Sequence, residues 1–260
     1  MVQAPSRRDR VRAATVEEIK ATARGLLVAD GPEAVSLRAI GRAMGMTAPA
    51  LYRYFGSRED LVKHVCGDIF TEIAADIHAA IVAAGQASGG DITAKLVAAC
   101  QAFRSWALTH QPEFGLLFGT PLPGIEHGRD DIIDECADKF SAEFLTLFFE
   151  LWSRHPFPVP ADAEIEPGLA AQLTRYRDGL GVDLPIGAVL IFLRCWVRLY
   201  GMVSLEVFGH LHFALEQPAA LFEYTLGELA ELVGLEYPAT GGPGPGGARS
   251  APPAGPSRPR

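Results

Sequence analysis

The sequence predicts an all-α fold, and three observations carry that reading. Apolar residues recur every three or four positions through most of the chain, residues that cap helices stand just before those runs, and no stretch shows the period-two alternation of a strand. The layout expected is an N-terminal three-helix helix-turn-helix unit followed by a larger helical C-terminal domain. Four segments follow from composition and periodicity: 1–14, 15–64, 65–237 and 238–260.

Residues 1–14 are polar and basic without periodicity and read as a flexible arm. Thr15 caps a helix to about Ala29, stopped by Gly31-Pro32. Ser36 caps a second helix, Leu37 to Met44, ended by Gly45. Thr47 caps a third, Ala48 to Tyr54, ended by Gly56. Ser57 caps a fourth, along which Leu61, Val65, Ile69, Ile73, Ile77 and Ile81 form a four-spaced stripe. Residues 85–90 read as a loop. Further helices are expected near 91–110, 129–154, 167–180, 185–209 and 218–235. The last 23 residues, 238–260, hold 6 Gly and 7 Pro. Such a segment buries too little surface to offset its ordering entropy, so disorder is expected.

The net charge of −8 argues against a polyanionic partner until its distribution is read. Residues 1–64 carry 11 Lys and Arg against 7 Asp and Glu, a balance of +4, and the remainder carries −12. A basic N-terminal module on an acidic body is the expectation. Cys66, Cys100, Cys136 and Cys195 are widely spaced and read as buried thiols of a reducing cytosol, with no metal site. The N-terminus lacks the apolar run of a signal peptide. The apolar stretch Pro185 to Val203 is interrupted by Arg194 and Arg198 and reads as a buried helix, so no membrane partner is expected.

The stretch SLRAIGRAMGMTAPALYRYF carries the functional signal. Two short helices flank a turn at Gly45-Met46, where glycine adopts a positive φ without a Cβ clash. Ile40, Met44, Met46 and Leu51 can share a small core, and Gly41 is small where the helices cross. This is the helix-turn-helix plan, whose second helix lies in the DNA major groove. Thr47 would satisfy free N–H groups as N-cap, and Pro49 is tolerated in a first turn. Thr47, Ala48 and Pro49 leave a low profile suited to thymine methyl groups and a base acceptor. Tyr52, Arg53, Tyr54, Arg58 and Lys63 offer groups to phosphates, as do Ser36 and Arg38 at the start of the preceding helix. A plain helical hairpin shares the turn but not the basic enrichment.

Residues 15–64 resemble the DNA-binding domain of tetracycline-repressor-like transcriptional regulators. The resemblance rests on GLLVADGPEAVSLRAIGRAMG and MTAPALYRYFGSREDLVKHV. It departs from the pattern at Gly41, where alanine is common, and at Arg58, where lysine is usual. A glycine there costs the helix about 1 kcal/mol, and arginine keeps the charge with another geometry. The resemblance implies a cytoplasmic, nucleoid-associated homodimer on a palindromic double-stranded operator, with a C-terminal domain that dimerises and binds a small effector. It implies no cofactor and no enzymatic activity. A repressor released by a largely apolar ligand is the leading expectation. An activator or constitutive binder with a filled core is the alternative, and a helical enzyme or interaction module is more remote.

The body is rich in aromatics at four-residue spacing, which fits a packed core or a ligand cavity. Candidate ligand residues are Phe103, Trp106, Phe114, Phe118, Phe144, Phe148, Trp152, Trp196 and Tyr200, with His110, Arg194 and Arg198 as polar anchors. WALTHQPEFGLLFGTPLPG and LYGMVSLEVFGH resemble the C-terminal domain of one subgroup of these regulators. The family pairs its last two long helices in a four-helix bundle across the two-fold axis. That implies an interface at Leu205, Phe208, Leu221, Phe222, Thr225, Leu226 and Leu229. No GxGxxG, P-loop, GxSxG or HExxH pattern occurs. His210 and His212 are a poor metal pair at spacing two. Asp130, Asp131, Asp134, Glu135 and Asp138 read as a solvated helix start.

Overall fold

The computed structural model describes residues 6–119 and 132–237. Among the described residues there are ten α-helices and no strand.

α1 (Arg7–Asp30) begins eight residues before the expected Thr15. Ser6 Oγ accepts from Asp9 N–H and the Asp9 carboxylate accepts from Ser6 N–H, a reciprocal capping box that turns the expected arm into helix. Residues 1–5 of the arm lie outside the described residues. Ile19, Ala23 and Leu27 face inward at four-residue spacing. α2 (Leu37–Met44) has the expected bounds: Ser36 Oγ accepts from Ala39 N–H, and Gly45 ends it at φ 66°. α3 (Ala48–Leu51) is shorter than expected. Tyr54 N–H bonds back three residues to Leu51 O, so the chain finishes in tight turns before Phe55.

α4 (Arg58–Ala87) buries Leu61, Val65, Ile69, Ile73 and Ile77 and forms the spine of the molecule between α5 (Ile92–Thr109) and α7 (Ile132–Arg154). It runs through Gly85, expected as loop. That glycine admits the Lys95 stem, whose Cε lies 3.1 Å from where a Cβ would stand. α6 (Gln111–Phe118) was not expected, because Pro112 reads as a breaker. Pro112 instead occupies the first turn, where a missing N–H costs nothing. His110 serves both helices: its N–H bonds Trp106 O, and its carbonyl accepts from Phe114 N–H. The expected start of α7 at 129, like Asp130, Asp131 and the 238–260 tail, lies outside the described residues. α8 (Pro167–Leu180), α9 (Ile186–Val207) and α10 (Ala219–Leu232) complete the body. α9 is long and apolar enough to cross a membrane, and it packs against α5, α8 and α10.

Candidate nucleic-acid interface and ligand cavity

The turn between α2 and α3 is tightly closed. Met46 N–H bonds Gly41 O at 2.8 Å. A Cβ on Gly41 would lie 2.8 Å from Met46 O and 3.4 Å from Leu51 Cδ1, so the crossing requires glycine. Ile40, Leu51 and Phe55 are buried beneath, with Met44 and Met46 packed at the edge. Thr47, Pro49, Tyr52 and Arg53 remain exposed, with Ala48 half-buried between them. Thr47 stands at the N-cap but makes no side-chain cap bond, contrary to the sequence reading. Ser36 caps its own helix as an acceptor, which leaves its hydroxyl proton for another partner. Arg38 is exposed beside it, and Lys63 is half-buried on α4.

Two arginines hold this unit, Arg58 from beneath and Arg12 from the exposed side. Arg58, expected on phosphate, is turned away: Nε donates to Val35 O at 2.6 Å and Nη2 to Pro32 O at 3.0 Å. It fixes the entry to α2, using the two-pronged geometry that lysine lacks. Arg12, expected in a flexible arm, donates from Nη2 to Arg53 O at 3.1 Å and lies 5.1 Å from the centre of the half-buried Tyr54 ring. The start of α1 is thereby fastened to the end of the recognition segment. Sequence reasoning missed Arg12 because only the short capping box signals that residues 7–14 are helical.

A charged cluster joins this domain to the body. Arg24 on α1 donates from Nη1 and Nη2 to Glu72 on α4 at 2.5 and 3.1 Å, and from Nε to Glu113 on α6 at 3.1 Å. Trp106 Nε1 also donates to Glu72, at 3.2 Å. Arg24 holds the Glu72 carboxyl below its ordinary value, by hydrogen bonding above all. Trp106 and His110, expected in a ligand site, stack on each other at 4.8 Å within this joint.

The remaining aromatic candidates divide between a filled core and a cavity. Phe103 is fully buried with ring centres of Phe114, Phe118 and Trp196 within 6.1 Å. Tyr200 Oη donates to Phe118 O at 2.7 Å, and Trp152 stands edge-on to Phe157. Arg194 and Arg198 are exposed. None of these except Trp196 reaches the cavity.

That cavity holds about 90 Å³ between α5, α7, α9 and α10. Leu96, Val97 and Cys100 line it from α5, and Phe144, Phe148 and Leu151 from α7. Phe192, Cys195, Trp196 and Leu199 come from α9. The α10 side is closed by Leu226, Leu229, Ala230 and Val233. Leu226 and Leu229, expected at an interface, therefore point inward within this chain. Phe222, also expected at an interface, is 1% exposed with Arg104 4.8 Å over its ring. Leu205, Phe208 and Leu221 are exposed and Thr225 half-exposed. Val197 and Tyr224, which sequence reasoning missed, stand 66% and 60% exposed on the same two helices. An all-round apolar helix gives no periodic signal for which face is inward.

A compact helix-turn-helix with its second helix start exposed, joined through ion pairs to a helical body, defines a DNA-binding transcriptional regulator. Comparison with known proteins agrees. Residues 13–65 match the profile of bacterial regulatory proteins of the tetR family, and residues 96–229 match the tetracycline-repressor-like C-terminal domain. The chain belongs to this tetracycline-repressor-like family. It is 28% identical to the HTH-type transcriptional regulator Rv1816 of Mycobacterium tuberculosis and to Mb1846 of Mycobacterium bovis over 202 residues, 78% of this chain and 82% of theirs. The solved structure of the regulatory-protein candidate SCO4313 is 31% identical, covers 87% of this chain and 100% of its own, and superposes with a TM-score of 0.68. A Rhodococcus sp. RHA1 protein of unknown function shares the fold at 20% identity, with coverage of 85% and 95% and a TM-score of 0.58.

Proposed function

We propose that the chain is a cytoplasmic repressor that binds a palindromic operator as a homodimer and leaves it when a small apolar effector enters the body. The carrying observation is the start of α3, where exposed Thr47 and Pro49 sit on a unit clamped by Arg12 and Arg58. Small side chains at a helix start suit close approach to base edges and thymine methyls. The neighbouring Tyr52, Arg53, Arg38 and Ser36 suit phosphates. Two copies related by a two-fold axis would place their α3 helices in half-sites about 34–36 Å apart, or a multiple of that.

The exposed apolar side chains of α9 and α10 support self-association there, with Val197, Leu205, Phe208, Leu221 and Tyr224 at its centre. The Arg24 cluster supports coupling, because the α1, α4, α5 and α6 side chains it links would all have to follow a shift in the body. An effector changes DNA affinity only by its differential affinity for the two arrangements.

The test is binding of the full chain to palindromes from its own upstream region over a salt series. The expected result is a sequence-preferring complex whose affinity falls steeply with salt. Failure to prefer any duplex at low salt would remove the reading.

A further inference from the structure

One wall of the cavity is supplied by no helix. Leu235 forms it, and the end of α10 puts Leu235 there. Gly234 takes φ 69°, Leu235 N–H donates to Ala230 O at 2.9 Å, and Gly234 N–H donates to Glu231 O at 3.2 Å. This is a Schellman-type helix end, in which the residue after the glycine usually packs back on the last turn. Here that residue faces the cavity. Two positions on, the Tyr237 ring doubles back over α10, with Cδ1 3.8 Å from where a Cβ on Gly227 would stand. Its hydroxyl donates to Glu223 Oε2, and Glu223 Oε1 accepts from Gln101 Nε2 of α5 at 3.5 Å. Residues 233–237 are thus a strap, fastened by backbone bonds at one end and by a phenol–carboxylate bond at the other.

The walls exclude ions. Among the described residues no charged side chain lines the space, and its polar side chains are Thr93, two thiols and the Trp196 indole. Burial pushes the Cys100 thiol up to about 12 and the Cys195 thiol up to about 11, so both stay neutral near pH 7. A carboxylate entering here would lose its water without a charged partner in direct contact. Arg194 and Arg198 act on the Cys195 thiol from outside the wall but do not line the space, and His110 stands elsewhere. The space of about 90 Å³ is smaller than the roughly 150 Å³ apolar cavity that accepts benzene, so a ring-sized guest needs room that moving the Leu235 side chain would supply.

We propose that this cavity binds a neutral, apolar molecule of single-ring size that takes the place of the Leu235 side chain, and that the 233–237 strap unfastens at Tyr237–Glu223 to admit it. The proposal deepens the reading of the chain as an effector-responsive regulator and rests on that reading for its consequence on DNA. Binding itself is measured without DNA.

The full chain is titrated with toluene and with benzoate, which present a similar ring without and with a charge. Thermal unfolding and tryptophan fluorescence are read, Trp196 being a lining residue. Toluene should raise the melting temperature by a few degrees and quench the emission, and benzoate should bind at least tenfold more weakly. Leu235→Ala should bind naphthalene at least tenfold more tightly than the parent protein does. Tyr237→Phe should speed toluene association several-fold in stopped flow. Benzoate binding as well as toluene, or no response to either, would overturn the site. Unchanged naphthalene affinity in L235A, or an unchanged association rate in Y237F, would overturn the strap. Operator binding by the unliganded protein reports separately on the regulator reading. A protein that binds toluene but no operator keeps the site and loses the role, and the converse loses the site alone.

Discussion

Arg24 Nε donates to Glu113 Oε1 at 3.1 Å, and the Glu113 side chain is 5% exposed. This bond carries the first helix of the DNA-binding domain onto α6 of the body. Removing the cation leaves a buried carboxylate without its counter-charge, which is far costlier than the pair is worth. Arg24→Met should therefore destabilise the protein by about 3 kcal/mol, read as a lower urea midpoint. The double variant with Glu113→Gln should recover much of that loss. Equal destabilisation in the single and double variants would assign the loss to the Glu72 bonds and to packing, and not to the Glu113 charge.

The same cluster sets an acid limb. Glu72 is held below its ordinary carboxylate value by Arg24. A depressed folded value gives stabilisation that is complete above the unfolded value of about 4.3 and is lost as pH falls through the folded one. Stability of the parent protein should decline below about pH 4.3, and Glu72→Gln should flatten that decline while lowering stability at pH 7. Urea titrations at several pH values check both signs. An acid limb of unchanged steepness in the variant would assign it to other carboxylates.

Gly41 separates two effects that point in opposite directions. Alanine should gain about 1 kcal/mol in helix propensity. Its Cβ, however, would stand 2.8 Å from the Met46 carbonyl oxygen, a backbone atom that cannot rotate away. Forced shifts in a packed site cost about 1–3 kcal/mol, so Gly41→Ala should be net destabilising. It should also weaken operator binding, because Met46 leads directly into α3. A more stable variant would mean that the turn has room to relax.

What the sequence made legible was local. The bounds of α2 and α8 coincide with expectation because Ser36, Gly45, Pro167 and Gly181 mark them within one or two residues. What it hid depended on distance or on ambiguous chemistry. The partners of Arg58 lie 23 and 26 residues back, so nothing adjacent shows that its fork is used inside the fold. Pro112 breaks one helix and starts another with the same missing N–H. Leu226 and Leu229 belong to a helix apolar on more than one side, and only packing against α9 and α5 chooses the inward face. The HTH segment was readable because glycine, caps and small residues each have a steric cause at their own position. The cavity was not, because it forms where four helices fail to fill space.

Arg12 and Arg58 both support the recognition unit, and their substitutions should separate positioning from charge. Arg58→Lys keeps the charge but cannot bridge Val35 O and Pro32 O with one planar fork. It should lower stability by about 1 kcal/mol through the lost bond and weaken all operators alike, with the salt dependence unchanged. Arg12→Ala removes an exposed cation–π contact worth about 0.5–1 kcal/mol and the bond to Arg53 O. Its effect on stability should be small. Its effect on DNA affinity should be the larger of the two, because the end of the recognition segment loses its fastening and the interface loses a positive charge. The slope of affinity against salt should fall in R12A and stay put in R58K. A lower slope in R58K would put that guanidinium on phosphate after all.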